Sequence, residues 1–232
     1  MAIWLDTACH SFDYAILQAI HAFALEAGSF FAWLMEAITL LCDDGLGMIA
    51  LGLVLCLFKR TRKLGTAVLF SVALAAMITN LTLKPLVERA RPYTHDAYID
   101  WWRVMGAHTE SDRSFPSGHT TAAMAAMTAI FLHTNKRYSW TAFLFALLMG
   151  FTRLFLVVHY PTDVIAGLVA GAIGAVLAYF LVKWMFRTLE KHREQRLCHL
   201  YLQADPIVAA LGRLCGRKKA AADAQSTETD DN

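Results

Sequence analysis

Charge is what this chain has little of. Asp, Glu, Lys and Arg supply only 17% of its 232 residues, and hydrophobic residues supply 57%. An ordinary soluble domain carries about 25% charged and about 45–50% apolar residues. The net charge of +2 is too small to point to a nucleic-acid partner. Cysteine is also sparse. Cys9, Cys42, Cys56, Cys198 and Cys215 are odd in number, irregularly spaced and without a CxxC pair, so they suggest neither a disulfide framework nor a zinc site. They read as small apolar fillers plus two thiols near the C-terminus. The opening MAIWLDTACHSFD lacks a basic region followed by an apolar run, so no cleavable signal peptide is expected, and insertion into a membrane would rest on the spans themselves.

What the chain does have is long apolar runs. A transmembrane helix needs roughly 20 mostly apolar residues. Residues 64–83, 138–158 and 164–184 qualify. Residues 46–58 are apolar but short, and 119–132 begin with the small residues TTAAMAAMTA. Gly167, Gly171 and Gly174 in the last run would let helices approach closely in lipid. Residues 12–41 are long enough to span but carry Asp13, His21, Glu26 and Glu36. They fit either an interfacial helix and a span broken near Gly28, or one tilted helix. The expected fold is all-α, an integral membrane helical bundle of about six transmembrane helices. Residues 1–186 would form the membrane-embedded domain, and 187–232 a cytoplasmic amphipathic segment, interrupted at Asp205-Pro206, with a polar, acidic, disordered tail.

Orientation is set by Lys and Arg. Lys59, Arg60, Arg62 and Lys63 form a short basic loop with no acid, Lys136 and Arg137 form another, and Lys183, Arg187, Lys191, Arg193 and Arg196 come after the last span. Alternating crossings put all three on one side, which the positive-inside rule makes cytoplasmic. The loop 88–115, with four Lys/Arg against five acids, and the turn 159–163 then face the other side.

Three clusters of polar residues at span ends fall on that non-cytoplasmic face: Lys84 to Arg91-Pro92, Pro116-Ser117-Gly118-His119, and Thr152-Arg153 followed by His159 and Asp163. Ionisable residues at a lipid boundary are costly and call for a reason. Lys84, Arg91 and Arg153 are cations without an equal set of acids beside them in these clusters, so they call for an anion such as phosphate or pyrophosphate. Ser117 and Gly118 begin a helix after a proline, where unpaired N–H groups and the helix dipole favour phosphate. A carboxylate on one ring nitrogen of His159 would leave the other as a nucleophile, with Asp163 the candidate partner. His119 could protonate a leaving oxygen and later activate water. Singly, each residue has a plainer reading: Lys84 snorkelling, the arginines anchoring topology, the histidines satisfied at the interface, Asp163 favouring a helix N-terminus.

Together the three clusters resemble the type 2 phosphatidic acid phosphatase superfamily of membrane enzymes. Its first motif, Lys, six residues, Arg-Pro, is matched by Lys84 and Arg91-Pro92. Its second, Pro-Ser-Gly-His, is matched by Pro116 to His119. Its third, Ser-Arg, five residues, His, three residues, Asp, is matched by Arg153, His159 and Asp163, with Thr152 in place of Ser. The resemblance covers about residues 64–185. It implies a phosphohistidine intermediate on His159, His119 as acid, Asp163 as partner of His159, and Lys84, Arg91, Ser117, Gly118 and Arg153 as phosphate ligands. It implies no metal and no cofactor. The substrate would be a membrane lipid phosphate, polyprenyl (undecaprenyl) pyrophosphate first, with phosphatidylglycerol phosphate, phosphatidic acid or transfer to another lipid as alternatives. A membrane protein that binds or transports phosphate lipids without turnover is the reading from another class, and the intact His119, His159 and Asp163 argue against it. His95, Asp96 and His108 fit no metal template. Trp101 and Trp102 suit the membrane interface or a lipid entrance.

Overall fold

Backbone groups facing lipid must be satisfied within their own segment, so apolar runs of this length fold as helices. The computed structural model describes residues 2–105 and 109–203, and every regular element among them is helical. Helix α1 (Ala2–Thr39) is broken at Gly28, whose φ of 78° lies in the left-handed region that glycine tolerates. Its first arm buries Asp13, Leu17, His21 and Ala24, a single stripe at helical spacing. The rings of Phe23 and Phe31 lie 5.5 Å apart across the break, whereas eight residues of straight helix span about 12 Å. The two arms therefore fold toward each other, and both rings pack on Phe155. Thr162 donates its N–H to Asp13, and Thr39 donates to Thr152, so the two arms meet the same end of the bundle.

A 3-10 turn (Leu40–Gly45) leads into the short apolar α2 (Leu46–Leu57). Helix α3 (Arg62–Ala76) runs through a π turn (Met77–Leu83) into α4 (Lys84–Val87). The widened turn re-aims the chain beyond it, and Lys84 comes to line a cavity. A 3-10 turn (Pro92–Thr94), α5 (Asp96–Met105) and a loop precede α6 (Gly118–His133). The short α7 (Lys136–Ser139), then α8 (Ala142–Phe155), α9 (Pro161–Lys191) and α10 (Arg196–Gln203) complete the described chain.

Helix α6 is the central post, buried from Thr120 to Ala129 except at Met124, which is partly exposed. Its small side chains let α3, α8 and α9 close around it. A Cβ built on Gly171 would lie 2.5 Å from the Thr121 carbonyl oxygen, and one on Gly174 would lie 2.7 Å from the Ala75 nitrogen. These approaches bear out the glycine run as a packing face, in a setting where dispersion rather than water drives helix association. The opposite faces of α8 and α9 expose Leu144, Leu147, Ile173, Phe180 and Trp184, as a surface meeting lipid would.

Among the described residues, four stretches are long and apolar enough to cross a membrane: Trp4–Asp43, Arg62–Thr94, Lys136–Phe155 and Pro161–Lys191. The chain is thus an all-α, multi-span membrane helical bundle, with fewer such stretches than the expected count of spans. The basic loops share one end. Lys63 lies 5.7 Å from the Phe186 ring, and Arg62 donates to the Tyr201 carbonyl at 2.6 Å. The anticipated acidic tail lies outside the described residues, as do His108 and Cys215.

Candidate active site

At the other end of the bundle, α9 begins with Pro161, and Asp163 occupies the third helical position. There its Oδ2 accepts the Tyr160 N–H at 3.0 Å, which caps the helix and fixes the carboxylate. His159 lies just outside the helix, as the intervening proline suggests. Val157, two residues earlier, has a φ of 55°, a strained value for a β-branched residue. The His159 Nδ1 is 3.5 Å from Asp163 Oδ2 and 3.4 Å from Ser114 Oγ, and Ser114 donates to Asp163 at 2.5 Å. Ser114 therefore bridges a His–Asp pair that stands slightly beyond direct bonding distance.

The other ring nitrogen, Nε2, lies 3.3 Å from Arg91 Nη1. His159 is wholly buried. Burial, and the nearby Arg91 and Arg153 guanidiniums, hold its pKa well below the usual imidazole range. The ring is therefore neutral at pH 7, the form in which it can act as a nucleophile.

The three cations of the motifs do gather, but they are not bare. Arg91 donates to the Val158 carbonyl at 3.1 Å and the Asp112 carbonyl at 3.0 Å, and it pairs with Glu110 at 2.6 Å and with the Asp112 carboxylate. Arg153 pairs with the same Glu110, and Lys84 with Asp112. Two carboxylates of the loop after α5 thus supply the anions that the motifs themselves lack. Burial works against the Asp112 charge, but Lys84 and Arg91 outweigh it and hold its pKa below the usual carboxylate value.

A cavity of about 570 Å³ opens beside these pairs. Lys84, Arg91 and His119 line one part, and Val72, Ala76 and Ala122 another, so a charged and an apolar wall adjoin. The His119 Nε2 is 3.5 Å from an Asp43 carboxylate oxygen. Gly118 lines the cavity, and a Cβ built there would stand 3.8 Å from the Lys84 Nζ. Ser117, Arg153, His159 and Asp163 lie behind the lining. Ser117 is wholly buried, its hydroxyl accepting from Thr120 at 3.0 Å.

Several polar residues escaped the sequence reading. Ser114 sits between motifs, and Glu110 and Asp112 counted only toward loop charge. Arg89 is 1% exposed and donates to Asp163 at 2.8 Å, Asp13 at 2.8 Å, Asp6 at 2.7 Å and Thr162 at 2.7 Å. The one signal for this cluster was an aspartate inside an apolar run. His95 and Asp96 are exposed, and among the described residues no group of three or more His, Cys, Asp or Glu is arranged to hold a metal. Trp101 stacks on His21 at 4.9 Å, and Trp102 packs on Tyr93 at 5.1 Å, so both tie α5 to its neighbours.

Comparison with known proteins gives this bundle a family. Residues 64–190 match the PAP2 superfamily, and the chain belongs to that family. It is 31% identical over 118 residues to a lipid A 4'-phosphatase of Porphyromonas gingivalis, covering 50% of this chain and 49% of that protein. It is 44% identical over 63 residues to the undecaprenyl-diphosphatase BcrC of Bacillus subtilis, covering 27% of this chain and 32% of that one. The crystal structure of a PAP2-type phosphatidylglycerolphosphate phosphatase from Bacillus subtilis superposes with a TM-score of 0.55 at 25% identity, over 80% of this chain and 92% of that chain. The chain spans about half the length of curated relatives such as the lipid A phosphatases.

Proposed function

We propose that this protein is a membrane lipid phosphatase that hydrolyses polyprenyl (undecaprenyl) pyrophosphate, or a related lipid phosphate, through a phosphohistidine, without a metal. The observation that carries this reading is the convergence of Lys84, Arg91 and Arg153 on the neutral ring of His159 beside a cavity with one apolar wall. In the proposed cycle a phosphate group displaces Glu110 and Asp112 and takes the three cations as its ligands, with the backbone at Gly118 adding N–H donors. The lone pair of His159 Nε2 forms a bond to phosphorus as the bond to the leaving oxygen breaks. His119 protonates that oxygen, which departs as the lipid monophosphate when the substrate is a pyrophosphate. Asp163 and Ser114 hold Nδ1 and stabilise the ring cation. A water then gives its proton to His119 and attacks phosphorus. The P–N bond breaks, inorganic phosphate leaves, and His159 regains its lone pair.

The apolar wall suits the first isoprene or acyl carbons, which favours a lipid over a soluble phosphate ester. A lipid A phosphate is the second reading, favoured by the relatives that carry that name. The membrane arrangement in this proposal has α2, α3, α6, α8 and α9 crossing and α1 bent on the site's side. The shared basic end faces the cytoplasm, and catalysis takes place on the opposite face of the cell membrane. Residues 1–186 form the embedded unit, with the segment after it cytoplasmic.

The test is a panel of polyprenyl pyrophosphate, phosphatidylglycerol phosphate, phosphatidic acid and lipid A, given to purified protein in EDTA. Release of inorganic phosphate, abolished in His159→Ala, is expected. Full turnover in that variant sinks the nucleophile, and activity restored only by zinc or magnesium sinks the metal-free reaction. Labelling of engineered cysteines in 109–113 from the cytoplasmic side would overturn the orientation.

A further inference from the structure

Asp13 stands on the buried stripe of an apolar helix, 1% exposed, where an aspartate is costly and a leucine would pack. Arg89 is equally buried. It is absent from the lining of the cavity that holds His119, although it borders a neighbouring one beside Lys84 and Arg91, and its donors go to three carboxylates and a hydroxyl. Its Nη1 bonds Asp163 Oδ1 and the Thr162 hydroxyl, its Nη2 bonds Asp13, its Nε bonds Asp6, and its plane lies 3.8 Å over the Tyr160 ring. Asp13 completes the arrangement. One oxygen accepts the Thr162 N–H at 2.9 Å, and the other accepts the Thr162 hydroxyl at 2.8 Å together with Arg89.

Stability is a poor reason for such a cluster. One guanidinium faces three carboxylates, two of them wholly buried, and uneven buried charge is seldom better than apolar packing. The cluster does do something specific to Asp163. Its Oδ1 is committed to Arg89, so Oδ2 is left for the Tyr160 N–H, Ser114 and His159. A cation at 2.8 Å also favours the charged carboxylate, the form that would stabilise the ring cation formed on phosphoryl transfer. We propose that Arg89 and Asp13 are positioning residues that orient Asp163 behind His159. Through Asp13, an arm of α1 outside the family-matched residues 64–190 then becomes part of the catalytic apparatus. This inference rests on the reading of His159 as nucleophile.

The experiment is a set of mutant cycles on the full chain in detergent micelles, with radiolabelled polyprenyl pyrophosphate. Arg89→Met and Asp13→Asn should each lower kcat by about 10–100-fold, the usual effect of losing an outer-shell partner, with KM within about twofold. Arg89→Lys should recover part of the loss. In an Asp163→Asn background, Arg89→Met should lower kcat by less than about threefold, since its target is already gone. Where Arg89→Met fails to fold, the isosteric Asp13→Asn carries the same cycle. A rise in KM with kcat unchanged makes Arg89 a phosphate ligand and overturns the proposal, as does a loss that multiplies fully with that of Asp163→Asn. His159→Ala is the control. If it is fully active, the functional reading falls and this inference with it. If it is dead and the cycles are additive, only the inference falls.

Discussion

Neutralising Glu110 should improve substrate binding while weakening the fold, a pairing of signs that few other roles for this residue produce. Glu110 bridges Arg91 and Arg153, whose side chains are each only 3% exposed, while its own is 26% exposed. Two unit charges about 4 Å apart in an effective dielectric of about 20 attract by about 4 kcal/mol. Partial solvation of Glu110 and the entropy of holding its side chain reduce this to about 1–2 kcal/mol. A phosphate that must displace the carboxylate forfeits that amount, so Glu110→Gln should lower KM for the lipid, and Ki for inorganic phosphate, by about 5–30-fold. Inorganic phosphate has no tail, so the second constant isolates the headgroup. The variant also leaves two neighbouring buried guanidiniums without their shared acid, so its unfolding midpoint in detergent should fall. Phosphate at 100 times its Kd should then stabilise the variant by about 2.7 kcal/mol. Unchanged or raised KM and Ki in a folded variant would refute the displacement step and make Glu110 a scaffold for Arg91 and Arg153.

The neutral, buried His159 ties stability to pH. Its folded pKa is depressed, so the unfolded chain binds the proton more readily. The stabilisation is present in full above the ordinary imidazole value of about 6.5 and is lost as pH falls toward the folded pKa. Unfolding midpoints of wild type should therefore drop between pH 7 and pH 5 more steeply than those of His159→Asn, and parallel curves would count against it. Gly171→Ala places a Cβ 2.5 Å from the Thr121 carbonyl oxygen, so α9 must move off α6, at a cost of about 1–3 kcal/mol in thermal or denaturant unfolding. A variant as stable as wild type would mean that the close approach is not structural. Gly118→Ala meets only the Lys84 ammonium at 3.8 Å, so it should leave the midpoint unchanged and raise KM for phosphate lipids severalfold.

The sequence was most legible where chemistry needs residues close together along the chain. Pro116 to His119 and Arg153 to Asp163 are local patterns, and the structure keeps them local, with Asp163 capping the helix that Pro161 begins. The glycine run of α9 and the small residues of α6 were legible for the same reason, since spacing along one helix dictates which face can approach another. The π turn was not. It is only seven residues long, MITNLTL, too short for a change of helical period to show in the spacing of its apolar residues. Nor could the path of α1 be read, and its break near Gly28 stood level with a single tilted helix as an expectation. Which way two arms fold depends on Phe155, more than 100 residues away.

The acids of the loop 88–115 show most clearly where such reading stops. Counted along the chain they are five negative charges that soften a loop and help fix its side of the membrane. In space, two of them pair with Lys84, Arg91 and Arg153, and this emerges only once the loop folds back over Arg91. A site built from cations alone would repel itself in a setting this poor in water, since Arg91 and Arg153 are both buried. It needs an internal anion that holds the arginines in place and can yield to a stronger one. Glu110 and Asp112 meet that need because both are partly solvated, so each can turn outward without stranding a charge. The same requirement explains why the deeper carboxylates, Asp13 and Asp163, are held by Arg89 instead. Their partner is as buried as they are, so neither can turn outward without stranding a charge.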